Sequence, residues 1–456
     1  MRKITDPDEK YRWLTTAPIP GLVGKLAVPT IISMLITSIY NMADTYFVGA
    51  LGTSAQGAVG VVFSLMAIIQ AIGFTFGNGS GNYVSRLLGQ KREEQAEQVA
   101  ATGFFIGILA GLALTVVGLL FLDPLVSALG ATDTILPYAR DYARFILLGA
   151  PWMVGALVLN NLLRFEGSAT YAMVGITTGG ILNMVLDPLF IFGLDMGTGG
   201  AALATIVSQG VSFLILLFNT GRGGTIPVKW SRIHPGDGIL GTIVRGGLPS
   251  MYRQGLASIA SILLNWAAKP FGDAAIAAMA IVSKVSMFSG SAMIGFGQGF
   301  QPVCGFNYGA GRYDRVRKAF WFCVKVGAAA LIIIAALGCL LAPQIVLAFQ
   351  KNDPEVVRLG SFALRCQFIT LPTVSYVVLN NMMLQTVGEN IRASILAMAR
   401  QGLFFIPGIL ILPYIFEFTG VALAQPISDV CAVILAIPLS RGFLRKLRRL
   451  EEEKGA

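Results

Sequence analysis

Charge is what this chain has least of. Of its 456 residues, 13% are Asp, Glu, Lys or Arg, against roughly 25% in an average soluble domain. So little charge cannot cover a water-facing surface of this size, and the 55% of residues that are hydrophobic must face lipid as well as each other. Histidine is nearly absent. The one copy, His234, falls in a polar stretch between apolar segments, so neither a histidine-ligated metal nor an intramembrane imidazole relay is expected. The cysteines Cys304, Cys323, Cys339, Cys366 and Cys431 all lie in or at apolar segments without metal-ligand spacing, and read as small buried residues. HExxH, GxSxG and any paired nucleophile and base are missing, so an enzyme has no support and no cofactor is expected.

What is present is apolar length. A membrane span needs about 20 apolar residues. Twelve stretches qualify, near 22–49, 55–85, 98–122, 138–163, 169–193, 199–219, 242–267, 275–303, 318–341, 358–384, 392–415 and 419–440. The expected fold is an all-α polytopic membrane protein with mostly short connections. The opening MRKITDPDEKYRW carries acids and no cleavage site follows it, so no removable signal peptide is expected. The net charge of +10 might suggest a nucleic-acid partner, but its distribution argues for topology. Arg2, Lys3, Lys10, Arg12, Arg86, Lys91, Arg92, Arg222, Lys229, Arg232, Arg312, Arg315, Arg317, Lys318 and the tail from Arg441 to Arg449 all fall on one side of the alternating spans. The other side holds mainly Lys269, Lys351 and Arg358. The positive-inside rule then places both termini in the cytoplasm. The basic tail would meet anionic lipid headgroups.

The chain reads as a duplication. Asn160–Asn161 recurs as Asn380–Asn381, an offset of 220 (380 − 160) in the numbering. The same offset relates Pro29 to Pro249, Gly52 to Gly272, and Gly89 with Arg92 to Gly309 with Arg312. Within one position of it, Arg144 and Pro151 answer Arg365 and Pro372. Six spans per repeat bring both halves in from the same side, so two six-helix lobes related by a pseudo-two-fold axis along the membrane normal are expected, with a cleft between them. The lobes would be residues 1–220 and 242–456, joined by a cytoplasmic loop over 221–241.

The acids are not duplicated. Asp44 answers Leu264, and Asp187 answers Pro407. An ionised side chain at bilayer depth costs at least roughly 2.5–3.5 kcal/mol, so such acids mark ion or substrate pathways. Asn183 and Asp187 are four residues apart and share a helix face, as do Asn41 and Asp44. Pro188 lacks an N–H and leaves a carbonyl free beside the acid. Asp44, Asp187 and Thr205 each lie about six residues from the same end of their spans, roughly 9 Å deep at 1.5 Å per residue. Independent helices thus bring oxygens to one layer, which suits a proton or Na+.

Those residues carry a resemblance. Pro29…Asp44-Thr45…Gly49-Ala50-Leu51-Gly52, Asn183…Asp187-Pro188 and the run Gly297-Gln298-Gly299-Phe300-Gln301-Pro302…Asn307-Tyr308-Gly309-Ala310-Gly311 resemble the multidrug and toxin extrusion (MATE) transporters, nearest the DinF-like and MepA-like bacterial branches. The resemblance spans about Ile19 to Gly442. It implies a monomeric exporter of amphipathic or cationic compounds in the inner membrane of a bacterium or archaeon, driven by H+ or Na+ entry through alternating access. It also implies a cation site at Asp44, Asp187, Asn183 and Thr205. Arg253 stands in span 7 and span 10 has no acid, which departs from the NorM branch and its second acidic site.

The second half has its own intramembrane charges. Arg400 and Asp429 fall at similar depth in spans 11 and 12 and read as a structural ion pair. Arg253 and Lys284 read as cleft residues, together with Gln298, Gln301, Met287 and Met293, the methionines offering an adaptable apolar surface. Competing readings are a flippase for a lipid-linked saccharide, which would want a strongly basic cleft, and a channel, which would need no acid site confined to one lobe.

Overall fold

The computed structural model describes residues 6–222, 224, 226–236, 238–349 and 353–455; the basic residues Arg2, Lys3 and Lys351 lie outside them. The chain is helical throughout the described residues. A short α1 (Pro7–Thr16) precedes α2 (Ile19–Gly49), α3 (Thr53–Gly89), α4 (Glu93–Leu120), α5 (Leu122–Ala128), α6 (Leu136–Phe165), α7 (Ala169–Pro188) and α8 (Gly197–Arg222). The second half runs through α9 (Ile239–Ala268), α10 (Asp273–Gly309), α11 (Tyr313–Leu340), α12 (Ala342–Phe349), α13 (Pro354–Val387), α14 (Asn390–Met398) and α15 (Phe405–Gly455).

Ten stretches among the described residues are long and apolar enough to cross a membrane. The last of them, Asn390–Glu453, is two spans in one. Glu417 takes φ 52° and ψ −136°, a conformation that breaks the helix and turns the chain back. The remaining span is α9, as long as its neighbours at 30 residues but carrying Arg245 and Arg253. Twelve spans result.

The repeat is visible in the backbone. α3 and α10 are each 37 residues long, and α4 and α11 each 28. Lys91 and Gly311, which share the repeat offset (311 − 91 = 220), both take positive φ, 60° and 68°. Beyond α12 the register moves by one. α12 has 8 residues where α5 has 7, and the positive-φ glycines that end the next helices, Gly167 and Gly388, stand 221 apart (388 − 167). Asn160 donates to the carbonyl of Ala172 at 3.3 Å, and Asn381 to that of Ala393 at 2.6 Å. Asn160 is therefore the counterpart of Asn381, which corrects the pairing of Asn160 with Asn380 suggested by the LNN match.

The lobes meet along one end only. A Cβ on Gly247 of α9 would run into the backbone oxygen of Thr75 on α3, and one on Gly299 of α10 into Ala27 of α2. Backbones approach this closely only where side chains are missing. Hydrogen bonds cross the same seam: Thr30 Oγ1 to the Gly295 carbonyl (2.6 Å), Asn78 Nδ2 to Ser250 Oγ (2.9 Å) and Thr386 Oγ1 to Asn82 Oδ1 (2.8 Å). Ser38–Ser291 (2.7 Å) and Gln254–Gln70 (2.8 Å) are the last of them. From there to Gly52 and Gly272, no hydrogen bond joins the lobes among the described residues, and a cleft opens.

α1 straps the closed end. Asn307, Arg312 and Arg315 of the second lobe donate to the carbonyls of Leu14, Thr15 and Ala17. On the first-lobe side, Lys10 donates to Ser168 Oγ at 2.7 Å and lies 4.0 Å from Glu166. Burial pulls the Lys10 ammonium below its ordinary pKa, with Glu166 opposing.

Candidate cation site and cleft

Three helices of the first lobe build the polar cluster. α7 is α-helical through Pro188 and then widens into a π-helical turn over Leu189–Gly193, a distortion common at functional sites. Its helical spacing sets Asn183 and Asp187 together, and Asn183 Nδ2 donates to Asp187 Oδ1 at 3.2 Å. The same amide reaches Thr205 Oγ1 on α8 at 3.4 Å, and that hydroxyl donates to the Ala201 carbonyl at 3.1 Å. Asp44 enters from α2 and accepts from the Tyr142 hydroxyl of α6 at 3.3 Å. Asp187 is fully buried and Asn183 nearly so. Hydrogen bonds thus join Asp187, Asn183 and Thr205, while the Asp44 carboxylate bonds to Tyr142. Asn41 is one turn from Asp44, but its side chain joins none of these bonds; its carbonyl accepts from Thr45.

Three oxygens in the cluster, Asp44 Oδ1, Asn183 Oδ1 and Asp187 Oδ2, are buried and accept no hydrogen bond. A buried acceptor without a donor costs roughly 1–3 kcal/mol, more when charged. Native structures rarely leave such groups unmatched without a reason. All three are acceptors, so what would satisfy them is positive: a proton shared on a carboxylate or a hard cation with oxygen ligands. Tyr142 was not among the residues the sequence singled out, nor was Tyr40, whose hydroxyl accepts from Gln209 at 3.4 Å. A tyrosine in an apolar span reads as interfacial packing, and only the fold shows that Tyr142 reaches a carboxylate.

In the second lobe, Arg400 sits in a second π-helical turn, Ala399–Leu403. The turn brings Arg400 Nε to 2.6 Å from Asp429 Oδ1. Gln425 (2.9 Å), Gln367 (3.4 Å) and Thr370 (3.5 Å) also donate to this carboxylate, so Asp429, unlike Asp187, is saturated. The two turns begin at Leu189 and Ala399, which departs from the repeat offset of this part of the chain (399 − 189 = 210, not 221), so the lobes are distorted at different places.

The cleft candidates separate by depth. Arg253 is partly exposed, while Lys284 and Met287 are exposed. Gln298, Gln301 and Met293 are buried and do not line the open cleft in this conformation. The cause is the close packing of α10 on α13 and α11: Gln301 faces Thr386 of α13 at 3.5 Å, and Met293 packs beside Gly327 of α11.

A two-lobed bundle of twelve spans with a polar cluster buried beside its cleft defines a membrane transporter rather than an enzyme. The MatE family model matches residues 29–189 and again 249–411, two segments whose starts keep the repeat offset (249 − 29 = 220). The chain belongs to the MatE family. It is 27% identical over 433 residues to the multidrug export protein MepA of Staphylococcus haemolyticus, covering 94% of this chain and 95% of that protein. Among solved structures, a MATE protein in complex with MaL6 superposes with a TM-score of 0.92 at 27% identity, over 97% of this chain and 99% of the other. A multidrug resistance MATE family transporter in an outward-facing conformation gives 0.91 at 26% identity, over 98% and 99%.

Proposed function

We propose that this protein exports amphipathic or cationic compounds from the cytoplasm by exchange against H+ or Na+, with Asp44, Asp187, Asn183 and Thr205 holding the coupling ion. The observation that carries the reading is the set of three buried, donorless oxygens contributed by α2 and α7. With both termini cytoplasmic, as the distribution of Lys and Arg supports, the open end of the cleft faces outward and α1 closes the inner end. Residues 1–220 and 242–456 are the units that rock, and 221–241 links them. The inner membrane is the expected location, with a single chain as the working unit. MepA, named a multidrug export protein, supports the same direction and cargo class.

In the outward-open state an external ion reaches Asp44 and then Asp187. Neutralising the pair removes like-charge repulsion between two carboxylates in a low-dielectric site and lets α2, α7 and α8 repack. That repacking biases the lobes toward a second arrangement, which a ligand can do only through differential affinity for the two states. The test is accumulation of a fluorescent amphiphile in vesicles under an imposed pH or sodium gradient. Asp44→Asn and Asp187→Asn should each abolish gradient-driven accumulation while remaining folded and inserted. Export at the wild-type rate by either variant would remove that acid from the coupling role. Labelled lipid in the same vesicles separates drug export from lipid flipping.

A further inference from the structure

We propose that the floor of the cleft binds an oxyanion, the carboxylate or phosphate head of an amphipathic cargo, on the guanidinium of Arg253. This rests on the export reading for direction of transport, but not for binding. Ser250 and Arg253 are three residues apart on α9 and share a face. Ser250 accepts from Asn78 of the opposite lobe at 2.9 Å, so that face looks across the cleft. Likewise Lys284 and Met287 precede Ser291 by two turns and one turn on α10, and Ser291 meets Ser38 of the opposite lobe. Both cations therefore stand on helix faces that meet the other lobe at a neighbouring turn.

Neither has an acid partner. Among the described residues no carboxylate lies within 4.0 Å of Arg253, Lys284 or Arg164. The polar contact of Arg253 is a 3.5 Å bond to Asn381 Oδ1. Behind it stands Arg164, 1% exposed, which donates through Nη2 to Asn78 (3.1 Å) and Asn161 (2.5 Å). Its Nε and Nη1 have no acceptor. Intramembrane cations ordinarily pair with an acid or with carbonyls, as Arg400 does. Of the acids in the first lobe, Asp187 is fully buried, and Asp44, partly exposed, accepts from Tyr142 across the helix layer of its own lobe. On the second-lobe side Arg253 and Lys284 carry charge that no acid neutralises, and a guanidinium fork matches a carboxylate or phosphate in two-point geometry. Met287, on the same face as Lys284, offers apolar surface to the rest of an amphiphile.

The experiment is equilibrium binding, by fluorescence anisotropy, of a carboxylate-bearing xanthene dye and its ethyl ester to the full-length protein in nanodiscs, with no gradient. The wild type should hold the acid at least about tenfold tighter than the ester, the scale of one charge-assisted hydrogen bond. Arg253→Gln should lose that preference, and Arg253→Lys should keep part of it. Displacement of the acid dye on moving from phosphatidylcholine discs to phosphatidylglycerol discs supports a lipid headgroup as the oxyanion; no displacement supports a free amphiphile. Equal affinity of the wild type for acid and ester overturns the proposal, and that comparison requires no variant to fold. So does an undiminished preference in Arg253→Gln. Binding of the acid without gradient-driven export would sink the export reading alone.

Discussion

Asp187 and Asp429 are both buried carboxylates inside spans, and the same change to Asn should affect them in opposite ways. Asp429 accepts four donors, the shortest being Arg400 Nε at 2.6 Å. Asp429→Asn removes the charge that Arg400 is paired with, and a hydrogen bond to a charged group is worth roughly 1.5–3 kcal/mol. The Arg400 side chain keeps 26% exposure and can recover some solvation, which places the loss toward the lower end. Asp187 accepts from Asn183 alone, and its second oxygen has no donor. Asp187→Asn keeps the oxygen that Asn183 uses and removes an uncompensated charge, so stability should change by less than about 1 kcal/mol, with a gain the expected sign. The five free cysteines, buried or half-buried, make thiol-reactive dye fluorescence a direct reporter of thermal unfolding in detergent. Asp429→Asn should lower the midpoint by a few degrees, while Asp187→Asn leaves it level or raises it. An equal drop in both would mean that Asp187 is a structural acid, and the ion site would lose its anchor.

Thr205→Ala removes one oxygen but no charge, so export should be reduced rather than abolished. A defect that shrinks as sodium rises assigns the coupling ion as Na+, and one indifferent to sodium assigns it as H+. Gly247→Ala places a methyl group against the Thr75 carbonyl and should shift the population away from this arrangement of the lobes. Spin-label distances between α3 and α9 would show the shift, and an unchanged distribution would refute the role of the glycine crossing. Arg400→Met combined with Asp429→Leu should restore the midpoint lost in Asp429→Asn, because removing one partner strands the other charge whereas replacing both partners is often neutral. A double variant that is stable yet silent in vesicles would make Asp429 part of transport.

Much of the architecture was legible because lipid allows so few solutions. Every backbone polar group in the bilayer must be satisfied within the chain, so an apolar stretch of sufficient length is a helix, and the broken and charged cases, α15 and α9, were still found by their apolar neighbours. The depth argument for Asp44, Asp187 and Thr205 could be made from the sequence because helical rise is constant. The register of the repeat was harder to read. An LNN match is local and outweighed the one-residue shift that Arg144 with Arg365 and Pro151 with Pro372 carry in the letters, and the positive φ of Gly167 and Gly388 decides for that shift.

Apolar length, the spread of Lys and Arg, and the singular acids of the first half determined that this protein crosses a membrane twelve times as a duplicated bundle with an oxygen-rich layer in one lobe. Only the tertiary structure decided which polar groups have partners. Asp187 and Asp429 look alike in the sequence, yet one is saturated by a π-helical turn that delivers Arg400 and the other keeps an empty oxygen. Among the described residues Arg253 and Lys284 likewise lack a carboxylate within 4.0 Å, and Arg253 meets Asn381 instead, because the acids of the first lobe pack among its own helices. Hydrogen bonding is decided by position to a fraction of an ångström, and that is set by how helices distant in sequence cross.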